Sequence, residues 1–231
     1  MEIPQISDLL RPFLITELDD TQLHAVQQYL ALLVRWNART NLTSIRDDYN
    51  IVIRHFGESL FAASLLLSRD SDFSIIDVGS GAGFPGLPLK IFAPGISLTL
   101  IESQNKKVTF LREVIRGLGL RGATVFHGRA EQYRERADLV TLRAVEHFVD
   151  ILPIAASLVR RPGAAPGGTA DGGPRIETAE QPHQVRGSFG LLVGSSQVKE
   201  AARLLPSYRW RQPVPIPRSA SRVVLIGTPE P

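Results

Sequence analysis

Ile75-Ile76-Asp77-Val78-Gly79-Ser80-Gly81-Ala82-Gly83-Phe84-Pro85-Gly86 is the stretch on which the reading of this chain turns. A short apolar strand carries an acid near its end and then breaks into a loop with glycine at every second position. Pro85 and Pro88 follow, where a helix would be starting. A loop so poor in side chains lets backbone N–H groups come close to a bound ligand. The pattern predicts a small-molecule pocket at the carboxyl end of a parallel strand.

The sequence on either side supports that placement. Strands are predicted at Ser74–Val78, Ser97–Ile101, Ala123–Phe126 and Asp138–Leu142, alternating with helices at Leu87–Phe92, Lys106–Gly117 and His147–Val159. Strand–helix alternation with short loops requires right-handed crossovers and a parallel sheet. Ahead of it, residues 1–70 read as helical. Leu23, Val26, Leu30, Leu33 and Val34 keep a 3.6-residue period from Asp20 to Asn37, with Asp19, Asp20 or Thr21 available as N-cap. A second amphipathic helix is predicted from Asp48 to Leu67, weakened by about 1 kcal/mol at Gly57 relative to alanine.

Residues 71–231 are expected to form the α/β unit, interrupted at about 161–187 by a stretch with six glycines and four prolines. A strand at Phe189–Val193, a helix at Gln197–Leu205 and an antiparallel hairpin of Tyr208–Ile216 with Arg222–Ile226 are expected to close it.

Composition excludes several chemistries. With 231 residues and no cysteine, disulfides, thiolate metal sites and a cysteine nucleophile are ruled out. The five histidines show no paired ligand spacing, so no metal is expected. No run is long and apolar enough to span a membrane, and Met1-Glu2-Ile3-Pro4-Gln5 does not open a secretion signal. A cytoplasmic location is expected. The net charge of +3 is too small to argue for nucleic acid, and the excess of 22 Arg over 4 Lys is read first as codon bias.

The glycines satisfy G-x-G-x-x-G as Gly81-Ala82-Gly83-Phe84-Pro85-Gly86, which taken alone suggests NAD. The acid just ahead of Gly79 argues against a pyrophosphate there, because both are anionic. A cofactor bearing a sulfonium and an amino group suits it better, which favours S-adenosyl-L-methionine against Gly79, Gly81 and Gly83. Glu102, at the end of the second strand, can accept both hydroxyls of a ribose. His127-Gly128-Arg129-Ala130-Glu131 would flank an adenine, and Arg143 at the end of the fourth strand would face the reaction centre.

Several further segments share one resemblance. Trp36-Asn37 with Asn41-Leu42-Thr43, Arg54-His55-Phe56 with Ser59-Leu60, and Asp77 to Gly86 occur in order. Ser103-Gln104-Asn105-Lys106-Lys107-Val108 with Phe110-Leu111, Gly128-Arg129-Ala130-Glu131 and Arg143-Ala144-Val145 follow. Over residues 30–146 the chain resembles the RsmG (GidB) family of bacterial small-subunit rRNA methyltransferases.

The resemblance implies a class I, Rossmann-like methyltransferase fold, mostly parallel with a C-terminal antiparallel hairpin and preceded by a helical extension. It implies S-adenosyl-L-methionine as donor and a guanine N7 of 16S rRNA as acceptor, with the rRNA or the small ribosomal subunit as partner; a monomer is expected. It places the cofactor against Gly79, Phe84, Glu102, Ala130, Glu131 and Arg143. Arg143 and Arg129 are the catalytic candidates, as donors to guanine O6. Asn41, Arg54 and His55 are candidates for the substrate side. Two departures stand out, Gly57-Glu58 where the family commonly has Leu-Asp, and Val193 where it often has lysine. They leave room for a catalytically weak rRNA-binding assembly factor, and an NAD-dependent oxidoreductase is the other alternative.

Overall fold

The computed structural model describes residues 1–144, 147–161 and 186–230. Its centre is one eight-stranded sheet of order β3-β2-β1-β4-β5-β8-β6, with β7 paired to β8. The strands are β1 Ser74–Val78, β2 Ser97–Glu102, β3 Ala123–His127, β4 Leu139–Arg143, β5 Ser188–Gly194, β6 Tyr208–Trp210, β7 Val214–Pro215 and β8 Arg222–Pro229. β1 to β5 pair in parallel, and β8 runs antiparallel to β5, β6 and β7. Chain order reverses between β1 and β4, which is where an open α/β sheet leaves a crevice at its carboxyl edge.

Helices cover both faces. On one side lie α1 Ile3–Leu10, α2 Asp20–Thr40, α3 Asp48–Ile51, α4 Glu58–Leu66, α5 Gly86–Phe92 and α6 Asn105–Gly117; on the other lie α7 Phe148–Ser157 and α8 Ser195–Leu204. In β1, Ile75 faces the first group while Ile76 and Val78 face the second. Burial of both faces explains why the run is almost wholly apolar.

The helical extension packs into the same core as α5 and α6. Asp19 caps α2 by accepting from the Gln22 backbone N–H at 2.8 Å, and the Gln22 side chain answers on the Asp19 N–H at 3.1 Å. The Gln22 amide also donates to the Ile91 and Phe92 carbonyls at 2.9 and 3.0 Å, closing the C-terminal end of α5. At the Ser68–Asp72 turn, Arg69 stacks over the Phe92 ring at 5.0 Å.

Two expectations change. The helix predicted from Asp48 to Leu67 is not uniform, because Val52–Gly57 between α3 and α4 is a π-helical turn. Phe13 lies against the bare Cα of Gly57, where a Cβ would sit 2.8 Å from the ring, so the family's leucine would not fit beneath it. The single strand predicted over Tyr208–Ile216 is split into β6 and β7, since Pro213 between them has no N–H for a ladder. Most of the Gly/Pro-rich stretch (162–185), together with Val145, lies outside the described residues. No helix among the described residues is long and apolar enough to cross a membrane.

Candidate active site

The loop after β1 is shaped by its glycines. Gly79, Gly81 and Gly83 adopt φ of 66°, 59° and 92°, a left-handed region that side chains disfavour. Gly83 has a second constraint, because a Cβ there would collide with the Tyr29 hydroxyl and with Leu87. That hydroxyl donates to the Ala82 carbonyl, so α2 holds the loop from below. The Ser80 N–H donates to the Ile101 carbonyl at 3.1 Å, and the Gly81 N–H donates to Glu102 Oε2 at 2.9 Å. Glu102 Oε1 accepts the Gln104 N–H at 2.8 Å. Each carboxylate oxygen therefore retains acceptor capacity for a ligand.

A cleft of about 690 Å³ opens at the carboxyl ends of β1, β2, β3 and β4. Val78, Gly79, Ile101 and Glu102 form one wall, Gly128, Arg129, Ala130 and Glu131 another, and Ala144, Ile151 and Ile154 close the side under α7. The structure thus brings together Gly79, Glu102, Arg129, Ala130 and Glu131 of the sequence-predicted set. Gly81 and Gly83 shape the loop without lining the cleft.

Asp77 differs from its expected role. Its side chain turns away from the cleft, accepting from Thr141 Oγ1 at 2.8 Å and from the Gly86 N–H at 3.3 Å at the start of α5. Burial pushes its pKa up to about 6, against the hydrogen bonds from Thr141, Ser80 and Gly86 and the charge of Arg143. The acid therefore anchors α5 to the sheet rather than facing a sulfonium, and it gives no evidence for the cofactor's charge.

Phe84 and Arg143 also lie outside the cleft lining. The Phe84 ring is buried, stacked between Tyr29 (5.2 Å, 4°) and His55 (4.8 Å, 21°), with Phe56 edge-on at 5.1 Å. Arg143 points to the α4 side of the sheet, where its NH2 donates to Glu58 Oε2 at 3.0 Å and to the Arg54 carbonyl, and its NH1 to His55 Nδ1 at 3.2 Å. Burial lowers its pKa to about 10, opposed by Glu58. It remains charged at neutral pH.

With Nδ1 accepting from Arg143, the Nε2–H of His55 donates to Thr43 Oγ1 at 2.8 Å. Burial first, and then Arg143, Arg222 and Arg54, depress its pKa to about 3, so the imidazole is neutral. Arg54 Nε donates to Glu58 Oε1 at 3.0 Å, and Arg222 Nε lies 3.2 Å from Glu58 Oε2. Asn41 ends α2 with φ of 50° and is exposed, accepting from Arg46 NH2 at 2.7 Å. Asn37 explains part of the shared pattern, since its amide holds the following loop through Thr43 N–H (2.9 Å) and the Ile45 carbonyl (3.0 Å).

Sequence reasoning missed Tyr29, Glu58 and Arg222 as parts of this site. The Arg54–Glu58 pair had a signal in its i,i+4 spacing. Arg222 had none, because it reaches Glu58 only through pairing of β8 with β5. Val193, where the family often has lysine, is buried in the core under α8 and is not at the surface. Among the described residues no group of three or more His, Asp or Glu could hold a metal ion.

Comparison with known proteins identifies the family and the fold. The sequence model of the family described as rRNA small subunit methyltransferase G matches residues 22–165. The ribosomal RNA small subunit methyltransferase G of Roseiflexus sp. (strain RS-1) is 45% identical over 172 residues, covering 70% of this chain and 73% of that protein. That of Staphylococcus epidermidis (strain RP62A) is 40% identical over 152 residues, covering 64% and 63%. Among solved structures, the ribosomal protein L11 methylase of Lactobacillus delbrueckii subsp. bulgaricus superposes with a TM-score of 0.55 at 11% identity, over 77% of this chain and 79% of that one. The fold is that of a class I methyltransferase, and the chain belongs to the rRNA small subunit methyltransferase G family.

Proposed function

We propose that this chain methylates N7 of a guanine in small-subunit (16S) rRNA with S-adenosyl-L-methionine as donor. One observation carries the reading: in a member of this family, the glycine loop, Glu102 and the Arg129–Glu131 turn converge on a single cleft at the carboxyl edge of the sheet. The residues present fit the cofactor. Glu102 has acceptor capacity for ribose hydroxyls, Ala130 and Glu131 on the same cleft would flank an adenine, and Gly79 would allow a close approach.

When bound, the cofactor supplies an electrophilic methyl group on sulfur. Guanine N7, whose lone pair lies in the ring plane, would be the atom that receives it. N7 loses no proton, so no general base or covalent nucleophile is needed, consistent with a chain free of cysteine. The protein's contribution is alignment of the three atoms. Of the two arginine candidates for holding guanine O6, Arg129 is the one that lines the cleft, whereas Arg143 is held on the α4 face by Glu58 and His55. The target base must leave its stack to reach the site.

Residues 1–70 are read as an extension that brings Asn41, Arg54 and His55 to the substrate side of a transferase unit formed by residues 71–231. His55 acts there by holding Arg143 rather than by touching RNA, since both its ring nitrogens are engaged. The protein is taken to work as a cytoplasmic monomer. The departure at Glu58 gives little support to a weak assembly factor, because Glu58 keeps a carboxylate at the centre of the ion-pair cluster. Family membership displaces the oxidoreductase. The test is incubation of the purified protein with S-adenosylmethionine labelled in its methyl group and small subunits from a strain lacking the gene. Label entering the rRNA is expected; tight binding of NAD without labelling would overturn the reading.

A further inference from the structure

Glu58 is 1% exposed and bears three arginines, from the π-helical turn (Arg54), the end of β4 (Arg143) and the start of β8 (Arg222). With His55 neutral, three guanidiniums meet the single carboxylate of Glu58, while Asp77 on the same face is held by Thr141 and Gly86 and makes no ion pair with them, so positive charge is in excess at the cluster. Nε of Arg143, and Nε of Arg222 despite its ion pair, are buried and lack a hydrogen-bond partner among those residues. A buried donor without a partner is costly, and a surplus of this kind is suited to an anion.

Position identifies the anion. Arg143 stands opposite Leu192 and Arg222 opposite Gly194, so both mark the same carboxyl edge as the cofactor cleft. Leu142 packs toward α7 and α8, and Arg143 points to the opposite face. The cluster is therefore beside the cleft, not in it, and neither Arg54 nor Arg222 lines the cleft. Arg54 and Arg222 reach solvent, with 44% and 19% of their side chains exposed. A carboxylate on the cofactor would be met from inside the cleft, whereas an RNA backbone would arrive from solvent. The guanidinium fork matches phosphate oxygens bidentately.

We propose that Arg54 and Arg222, held by Glu58, seat one phosphate of the RNA strand flanking the target guanine. The proposal rests on the rRNA-methylation reading. Its test is the salt dependence of binding to in-vitro-transcribed small-subunit rRNA. Arg222→Gln should weaken binding and make the plot of log K against log salt shallower by about 0.7–0.9, the value for one phosphate contact. Arg222→Lys should retain most of that slope, and S-adenosylhomocysteine affinity should be unchanged in both.

An unchanged slope in Arg222→Gln, with wild-type protein binding normally, overturns the proposal and leaves the enzyme reading standing. Loss of S-adenosylhomocysteine affinity with an unchanged slope also overturns it and assigns the anion to the cofactor. Failure of the wild type to bind or methylate RNA overturns the enzyme reading itself. If circular dichroism shows Arg222→Gln unfolded, Arg54→Gln at the more exposed position gives the same readout.

Discussion

Replacing Glu58 by glutamine should destabilise the protein more than any surface substitution, and the structure sets the size of the effect. Its two oxygens meet three guanidiniums at 3.0, 3.0 and 3.2 Å, and the carboxylate is 1% exposed. Removing one partner of a buried pair costs about 3–5 kcal/mol, because the other charge is left uncompensated. Arg54 and Arg222 can relax partly into water, which moves the expectation to the lower end, about 3 kcal/mol. With a urea slope of about 2–3 kcal/mol per molar, the unfolding midpoint should fall by about 1–1.5 M. Arg143→Met should then cost less in the Glu58→Gln background than in the wild type, with a coupling of about 1–3 kcal/mol. A midpoint shift worth less than about 1 kcal/mol, or additive costs, would refute the role of Glu58 as the anchor of this cluster.

Three further outcomes follow from named contacts. Asp77 titrates near 6 in the fold against 3.8 for an ordinary aspartate, so its protonated form favours the fold; that contribution, about 3 kcal/mol, is complete below pH 4 and is lost as pH rises through 6. Asp77→Asn should flatten this part of the stability–pH curve, and an unchanged slope in urea titrations would exclude the assignment. Gly83→Ala should lower the melting temperature by several degrees, because φ is 92° and the new Cβ meets the Tyr29 hydroxyl; a melting scan matching wild type would contradict it. Glu102→Gln should weaken S-adenosylhomocysteine binding by about 10–100-fold in calorimetry, the loss of a charge-assisted hydrogen bond to ribose, and equal affinity would remove Glu102 from the site.

The parallel sheet was legible because its signals are local. β1 ends where the glycines begin, and each of the first four predicted strands lies within a residue of its observed bounds at either end. The cleft walls at Glu102 and Arg129–Glu131 were legible for the same reason, since every parallel strand delivers its last residue to one edge. Side-chain direction was not. Asp77 and Arg143 sit at strand ends as expected, yet strand alternation turns both toward α4 and α5 instead of the cleft. Phe84 follows the glycines in sequence, but α2 and the π-helical turn supply Tyr29 and His55 to enclose it. Glu58 and Arg222 are 164 positions apart, a pairing that exists only once β8 has docked against β5.

Methylation at one guanine N7 is tested most directly by mapping that modification in small-subunit rRNA. N7-methylguanosine is reduced by borohydride and then cleaved by aniline, so each such site appears as a strand break. Small subunits from a strain lacking the gene, incubated with the purified protein and S-adenosylmethionine, should gain a single new break that is absent when either component is omitted. A methyl group recovered on another atom, or no new break at saturating cofactor, would contradict guanine-N7 transfer by this cleft.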